Sequence, residues 1–206
     1  MMMLAVESTA AIASAALLQD GVLLAEREAD AGKKHAETLL PLIDALLEDN
    51  GFTIAQIDVF AVDVGPGSFT GVRIGVSLVN ALAFAAGKQV IPVDSLETLA
   101  LSAGETSRPV AAMIDARNGN AYAALYQAGE ALIEPCATEI MEFAAKLPQD
   151  VLFVGDVKTK EKTFPRAGFV AFAAQQHLSR AVQEADPIYL RPSQAERTKQ
   201  QSVKGA

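Results

Sequence analysis

The chain has 206 residues, 50% hydrophobic and 20% charged, a balance that excludes intrinsic disorder as its main state. Its net charge of −8, from 17 basic and 25 acidic residues, argues against a phosphate backbone as its main anchor. One cysteine, two histidines and no tryptophan exclude a disulfide framework, a histidine-rich metal centre and an aromatic platform for single-stranded RNA.

In chain order, the first 28 residues read as three strands. Met3 to Val6 is a short apolar run and Ala11 to Leu18 is small and apolar. Gln19-Asp20-Gly21 is a turn, and Val22 to Glu26 runs back. The opening run has neither the basic start nor the apolar length of a targeting signal, and no apolar stretch reaches the ~20 residues of a membrane span. The expectation is a cytoplasmic chain with no membrane contact. His35 to Asp49 carries apolar residues at helical spacing and stops at Asn50-Gly51. Ile57 to Val64 reads as a buried strand. The run Gly65-Pro66-Gly67-Ser68-Phe69-Thr70-Gly71 then leads into a long helix ending at Gly87, followed by a strand over Gln89 to Val93 and a short helix capped at Asp94-Ser95. The polar stretch from Gly104 to Arg108 marks a boundary between two lobes. Beyond it come strands at Val110–Ile114, Ala121–Gln127, Gly129–Glu134 and Val151–Val154, and helices at Thr138–Leu147 and Ala171–Glu184. Ile188–Leu190 reads as a short extended piece. The expected division is 1–104, 105–192 and a polar tail over 193–206. Alternating strands and helices give an α/β class.

In the segment Gly65 to Gly75, three glycines, Gly65, Gly67 and Gly71, sit between a strand and a helix, where backbone N–H groups and a helix start suit an anion. The spacing fits neither a dinucleotide turn nor a P-loop. A tight turn, with Gly71 and Gly75 permitting close helix packing, explains it on spacing alone. The helix after it is apolar or small nearly all round, with Arg73, Ser77 and Asn80 as its few polar positions. Such a helix needs cover on both sides, from the preceding helix or from a second chain. His35 has Leu39 one turn on, so no metal pair forms, and Glu37 suits a solvated helix start. Glu7, Asp63, Asp94 and Asp115 lie near strand ends, as caps or beside a magnesium nucleotide. Asp115-Ala116-Arg117 suggests an ion pair or a loop contact. Cys136 has no activating neighbour, and no nucleophile–base set can be assembled.

The segment Val64-Gly65-Pro66-Gly67-Ser68-Phe69-Thr70-Gly71-Val72-Arg73-Ile74-Gly75 resembles the signature of the bacterial TsaB (YeaZ) family of threonylcarbamoyladenosine biosynthesis. Leu4–Thr9, His35–Pro41, Met113–Arg117 and Pro187–Arg191 resemble further family motifs, so the likeness spans nearly all of residues 3 to 192. It implies an actin-like (ASKHA, RNase H-like) α/β fold with two lobes. It implies a non-catalytic subunit that pairs with the TsaD transferase, joined by the ATPase TsaE, with tRNA reached through the complex. It also implies self-pairing as a homodimer through the first two helices. On this basis Leu39, Ile43 and Leu46 of the first helix are expected to form the partner surface, together with Gly71, Val72, Arg73, Gly75, Val76 and Val79 of the second. Gly75→Leu is then expected to abolish pairing while leaving the monomer partly folded. No catalytic residue, metal or cofactor is expected for the chain alone, with ATP and magnesium a matter for the complex. The competing expectation is a weak actin-like ATPase using Glu7, Gly67 and Asp115. Glu7 where many relatives have Asp, and Gly155-Asp156-Val157 lacking a second glycine, weigh against it. A stand-alone peptidase lacks its catalytic groups.

Overall fold

The computed structural model describes residues 1–32, 34–159 and 161–191; the expected tail over 193–206 lies outside the described residues. The first sheet holds β1 (Met2–Glu7), β2 (Ile12–Gln19), β3 (Val22–Asp30), β4 (Val59–Asp63) and β5 (Gln89–Val93), in the order β3-β2-β1-β4-β5. β1, β2 and β3 are antiparallel neighbours, whereas β4 runs parallel to both β1 and β5. Asp20 (φ 49°) and Gly21 (φ 86°) both take the left-handed conformation that a two-residue hairpin demands. β1 is buried along its whole length, as an apolar run in a sheet covered on both faces should be.

The two faces of β1 alternate with a period of two. Leu4 and Val6 meet α1 (His35–Asp49) and α2 (Phe69–Ala86), through Leu39, Ile43, Leu46, Val72, Val76 and Val79. Met3 and Ala5 meet Val170, Ala171 and Ala174 of α5 (Ala167–Gln176). α2 is, among the described residues, the one helix long and apolar enough to cross a membrane, contrary to the expectation that no stretch comes close. Its inner side is part of this core.

The second sheet holds β6 (Val110–Asp115), β7 (Asn120–Gln127), β8 (Glu130–Glu139) and β9 (Leu152–Gly155), in the order β8-β7-β6-β9. One face carries α3 (Ser95–Leu101), through Leu96 and Leu99; the other carries α4 (Ile140–Ala144), through Phe143. Both sheets repeat one wiring, antiparallel hairpins followed by a parallel neighbour, and the protein has the two-lobed actin-like α/β fold.

Three expectations need correction. A linear division at 104 does not describe α5, which returns to cover the first sheet. α5 also spans Ala167–Gln176 rather than 171–184. Its start is fixed by distant groups that no local pattern reveals: Ala167 N donates to Ser14 Oγ (2.9 Å) and Gly168 N to Glu26 Oε1 (2.7 Å). β8 extends through Pro135 to Glu139 and shortens the expected 138–147 helix to α4. It is the last strand on its side of the sheet, where a residue without an N–H is tolerated.

After α5 the chain forms a strap back across the first sheet. Val90 and Val182 exchange two backbone bonds of 2.8 Å. The Asn80 side-chain amide donates to Ala185 O and accepts from Ala185 N, both at 2.9 Å. Ile188 N donates to Val64 O at 2.7 Å.

Candidate functional site

The turn from β4 to α2 is built against the connection between β1 and β2. A Cβ on Gly67 would come within 2.7 Å of Thr9 Cβ, and one on Gly65 (φ +99°) within 2.9 Å of Ile188 O. Ser68 caps α2, its Oγ accepting from Gly71 N at 3.3 Å. Ser68 N donates to Thr9 O (2.8 Å) and Ser8 Oγ to Gly71 O (2.9 Å). The Cα of Gly71 faces the Ser8 carbonyl oxygen, and that of Gly75 faces Ser8 Oγ, so neither leaves room for a Cβ. The close approach expected at these glycines exists, but its partner is this chain's own turn. His35 is also buried rather than solvated, its Nε2 lying 2.8 Å from Ala10 O in the same connection. Because Ala10 O only accepts, Nε2 carries the proton.

A cavity of about 560 Å³ opens between the two sheets, lined by Thr9, Gly67, Phe69, Asp115, Arg117 and Arg191 among others. Of the three expected nucleotide residues, Gly67 and Asp115 reach it, and Glu7 does not. Glu7 is completely buried, its Oε1 accepting from Thr9 N and Thr9 Oγ1, both at 2.5 Å. Beside it in register, as Val6 pairs with Val62, lies Asp63, equally buried. Asp63 Oδ1 accepts from Gly65 N (2.9 Å) and Ser95 Oγ (2.5 Å). Glu7 Oε2 and Asp63 Oδ2 have no partner. Burial raises both carboxyls: Glu7 well above its ordinary value, with Asp63's charge adding to it, and Asp63 to about 7. Asp115 differs, being exposed at the end of β6. Its Oδ1 accepts from Arg117 N (2.8 Å) and its own N–H donates to Asp156 Oδ1 (2.8 Å). This is the loop contact between Asp115 and Arg117 rather than an ion pair. Among the described residues no three acidic, histidine or cysteine groups gather as metal ligands. Glu7, sealed away from the cavity, does not fit a magnesium nucleotide.

The expected partner-surface residues divide sharply. Leu39, Ile43, Leu46, Gly71, Val72, Gly75, Val76 and Val79 are all buried in the first lobe's own core, so the two helices do cover each other and the sheet. The expectation that these side chains face a partner is corrected. Arg73 alone of the set is exposed. The outward side of the same helices carries Leu40, Pro41, Ser77, Ala81 and Ala85, with Phe84 87% exposed at the end. Of the residues named from sequence on these two helices, all but Arg73 therefore lie on their inward faces. The i, i+4 spacing of Ser77, Ala81 and Ala85 was the signal available. No sequence signal showed that Phe69 and Tyr189 pack together beneath Arg73. The rings lie 4.8 Å apart, and Tyr189 OH accepts from Arg73 Nε at 2.8 Å.

The family model for TsaD, tRNA N6-adenosine threonylcarbamoyltransferase, matches residues 28–196. The Bacillus subtilis tRNA threonylcarbamoyladenosine biosynthesis protein TsaB is 30% identical, with 95% of this chain and 96% of that protein covered. Its Escherichia coli counterpart is 37% identical over 63% of this chain and 57% of its own length. A crystal structure of a Pseudomonas aeruginosa protein with similarity to the peptidase YeaZ superposes with a TM-score of 0.82 at 29% identity, covering 92% of this chain and 99% of that one. A transferase-type family model over most of the chain, a full-length match to TsaB and the shared two-lobed fold agree: the chain belongs to the TsaB (YeaZ) family.

Proposed function

We propose that this chain takes part in threonylcarbamoyladenosine biosynthesis on tRNA as a non-catalytic subunit. It pairs with a TsaD-type transferase through the outward side of α1 and α2. The observation that carries this is the contrast between the two surfaces. Behind the cleft, Glu7 and Asp63 are sealed from solvent. On the helix pair, Phe84 stands 87% exposed beside small residues that allow close approach of another helix. A homodimer would use the same side and compete with the transferase. TsaE, ATP and magnesium belong to the assembled complex in this proposal, and tRNA is reached through the transferase.

The test is size exclusion with light scattering on a mixture with TsaD, followed by threonylcarbamoyladenosine formation on tRNA. Expected is a one-to-one complex, active only with this chain present. A transferase fully active alone would overturn the subunit role. Phe84→Asp is expected to weaken that complex about tenfold or more. Because the side chain is exposed, the monomer's stability should stay within about 0.5 kcal/mol. Unchanged affinity would remove this face from the interface.

The 560 Å³ cavity favours a second reading, weak nucleotide binding. Magnesium-ATP added to the isolated chain is expected to leave its melting temperature unchanged, and a clear rise with turnover would reinstate that reading.

A further inference from the structure

On the pairing proposed above, we infer that Arg73 is a preset reader of a partner carboxylate, held in place by the C-terminal strap. Arg73 stands exposed near the start of α2, with its guanidinium carbon 4.0 Å above the centre of the Phe69 ring and 5.6 Å from that of Tyr189. Its Nε donates to Tyr189 OH at 2.8 Å. Tyr189 is itself fixed, because its neighbour Ile188 donates to Val64 O at 2.7 Å. The ring stack and this one bond restrict the side chain before anything binds, which lowers the entropy cost of docking. Both Nη atoms remain without a partner among the described residues, leaving a planar pair of donors free for a bidentate acceptor.

Charge identifies the acceptor. The first turn of α2 holds no acidic residue, so Arg73 and the positive helix start make a local positive site on a chain of net charge −8. Arg73, with Arg117 and Arg191 lining the neighbouring cavity, makes too few cations in so acidic a chain to hold a nucleic-acid backbone. The adjoining surface of Ser77, Ala81 and Phe84 is suited to packing against a protein helix. The model of the transferase family matches this chain over 28–196, so the transferase shares the same helix pair. On this chain, α1 exposes Glu37, Asp44 and Glu48 beside α2. An acidic residue on the transferase's first helix would meet Arg73 if the two pairs of helices dock against each other.

The test is titration calorimetry of full-length TsaD with the wild-type chain, Arg73→Glu, Arg73→Lys and Tyr189→Phe. Arg73→Glu is expected to weaken binding about a hundredfold, and Arg73→Lys about tenfold, because a point charge replaces the planar fork. Tyr189→Phe keeps the ring and loses the bond to Nε, so a loss of a few-fold is expected. Reversing one acidic residue on the transferase's first helix should restore affinity to Arg73→Glu. If wild type binds and Arg73→Glu binds equally well, the carboxylate inference falls and the pairing stands. If Arg73→Glu is weakened but no acidic residue of the transferase rescues it, and added tRNA restores no affinity to the wild type alone, a backbone carbonyl acceptor replaces the carboxylate. If tRNA binds the isolated chain and Arg73→Glu abolishes that, the acceptor is a phosphate and the inference is overturned. No binding by wild type overturns the pairing itself.

Discussion

Gly71→Ala is expected to destabilise the chain by at least about 3 kcal/mol, and no folded monomer is expected under mild denaturing conditions. The added Cβ would fall on the Ser8 carbonyl oxygen. That oxygen is backbone in a connection held from two sides. Ser68 N donates to Thr9 O, and Thr9 donates to Glu7 through both its N–H and its hydroxyl. Nothing there is the free end of a side chain that could swing away. Gly75→Ala is different in kind. Its Cβ would meet Ser8 Oγ, which can rotate if it gives up its bond to Gly71 O. That loss costs about 1–2 kcal/mol. Urea midpoints should therefore rank Gly71→Ala well below Gly75→Ala, with wild type highest. Equal midpoints for the two variants would show that the turn yields as easily as the serine. Because both glycines pack inward, Gly75→Leu loses the lobe itself rather than pairing alone, and Phe84→Asp is the cleaner probe of the surface.

The second large effect is on acidity. Asp63 is raised to about 7 by burial, with Asp94 adding to the rise while Ser95 and Gly65 bond against it; Glu7 is raised by burial and by Asp63. A carboxyl of the unfolded chain titrates near its ordinary 3.8. Between these values the folded protein holds a proton that the unfolded chain has released. Stability from this pair is therefore complete below about pH 4 and is lost as pH rises through about 7. Asp63→Asn keeps an acceptor for Gly65 and Ser95 and removes the buried titrating carboxyl. It is expected to flatten the decline between pH 5 and pH 8 and to exceed wild type at pH 8. Denaturation midpoints across that range decide it. A wild-type curve that rises with pH would mean that a counter-ion neutralises the pair.

The parts of the structure legible in the residues were those with local causes. The span of α1 followed from apolar spacing and a glycine stop, and α3 from its Asp94 cap, whose Oδ1 accepts from Leu96 N and Glu97 N. The first hairpin followed from Asp20-Gly21. What escaped depended on distant partners. Ser14 and Glu26 set the start of α5 across the whole chain, and Ile188 and Tyr189 gain meaning only where they reach Val64 and Arg73. The candidate surface failed for a related reason. A helix with few polar residues shows no preferred side in sequence, and only the sheet beneath decides that Val72, Val76 and Val79 turn inward while Ser77, Ala81 and Phe84 turn out. Glu7 reads as a strand-end acid suited to a ligand; its seal is made by Thr9 folding back over it.

The return of α5 to the first sheet also bears on how the protein is made. Synthesis runs from the N-terminus, so β1 to β5 and the helices on their first face leave the ribosome long before residues 167–176 exist. During that interval Met3, Ala5, Ala61 and Ile91 have no cover on their second side. Translation at about 5–20 residues per second makes this wait several seconds. The nascent first half is thus an open apolar sheet from the completion of β5 at Val93 until α5, ending at Gln176, closes it.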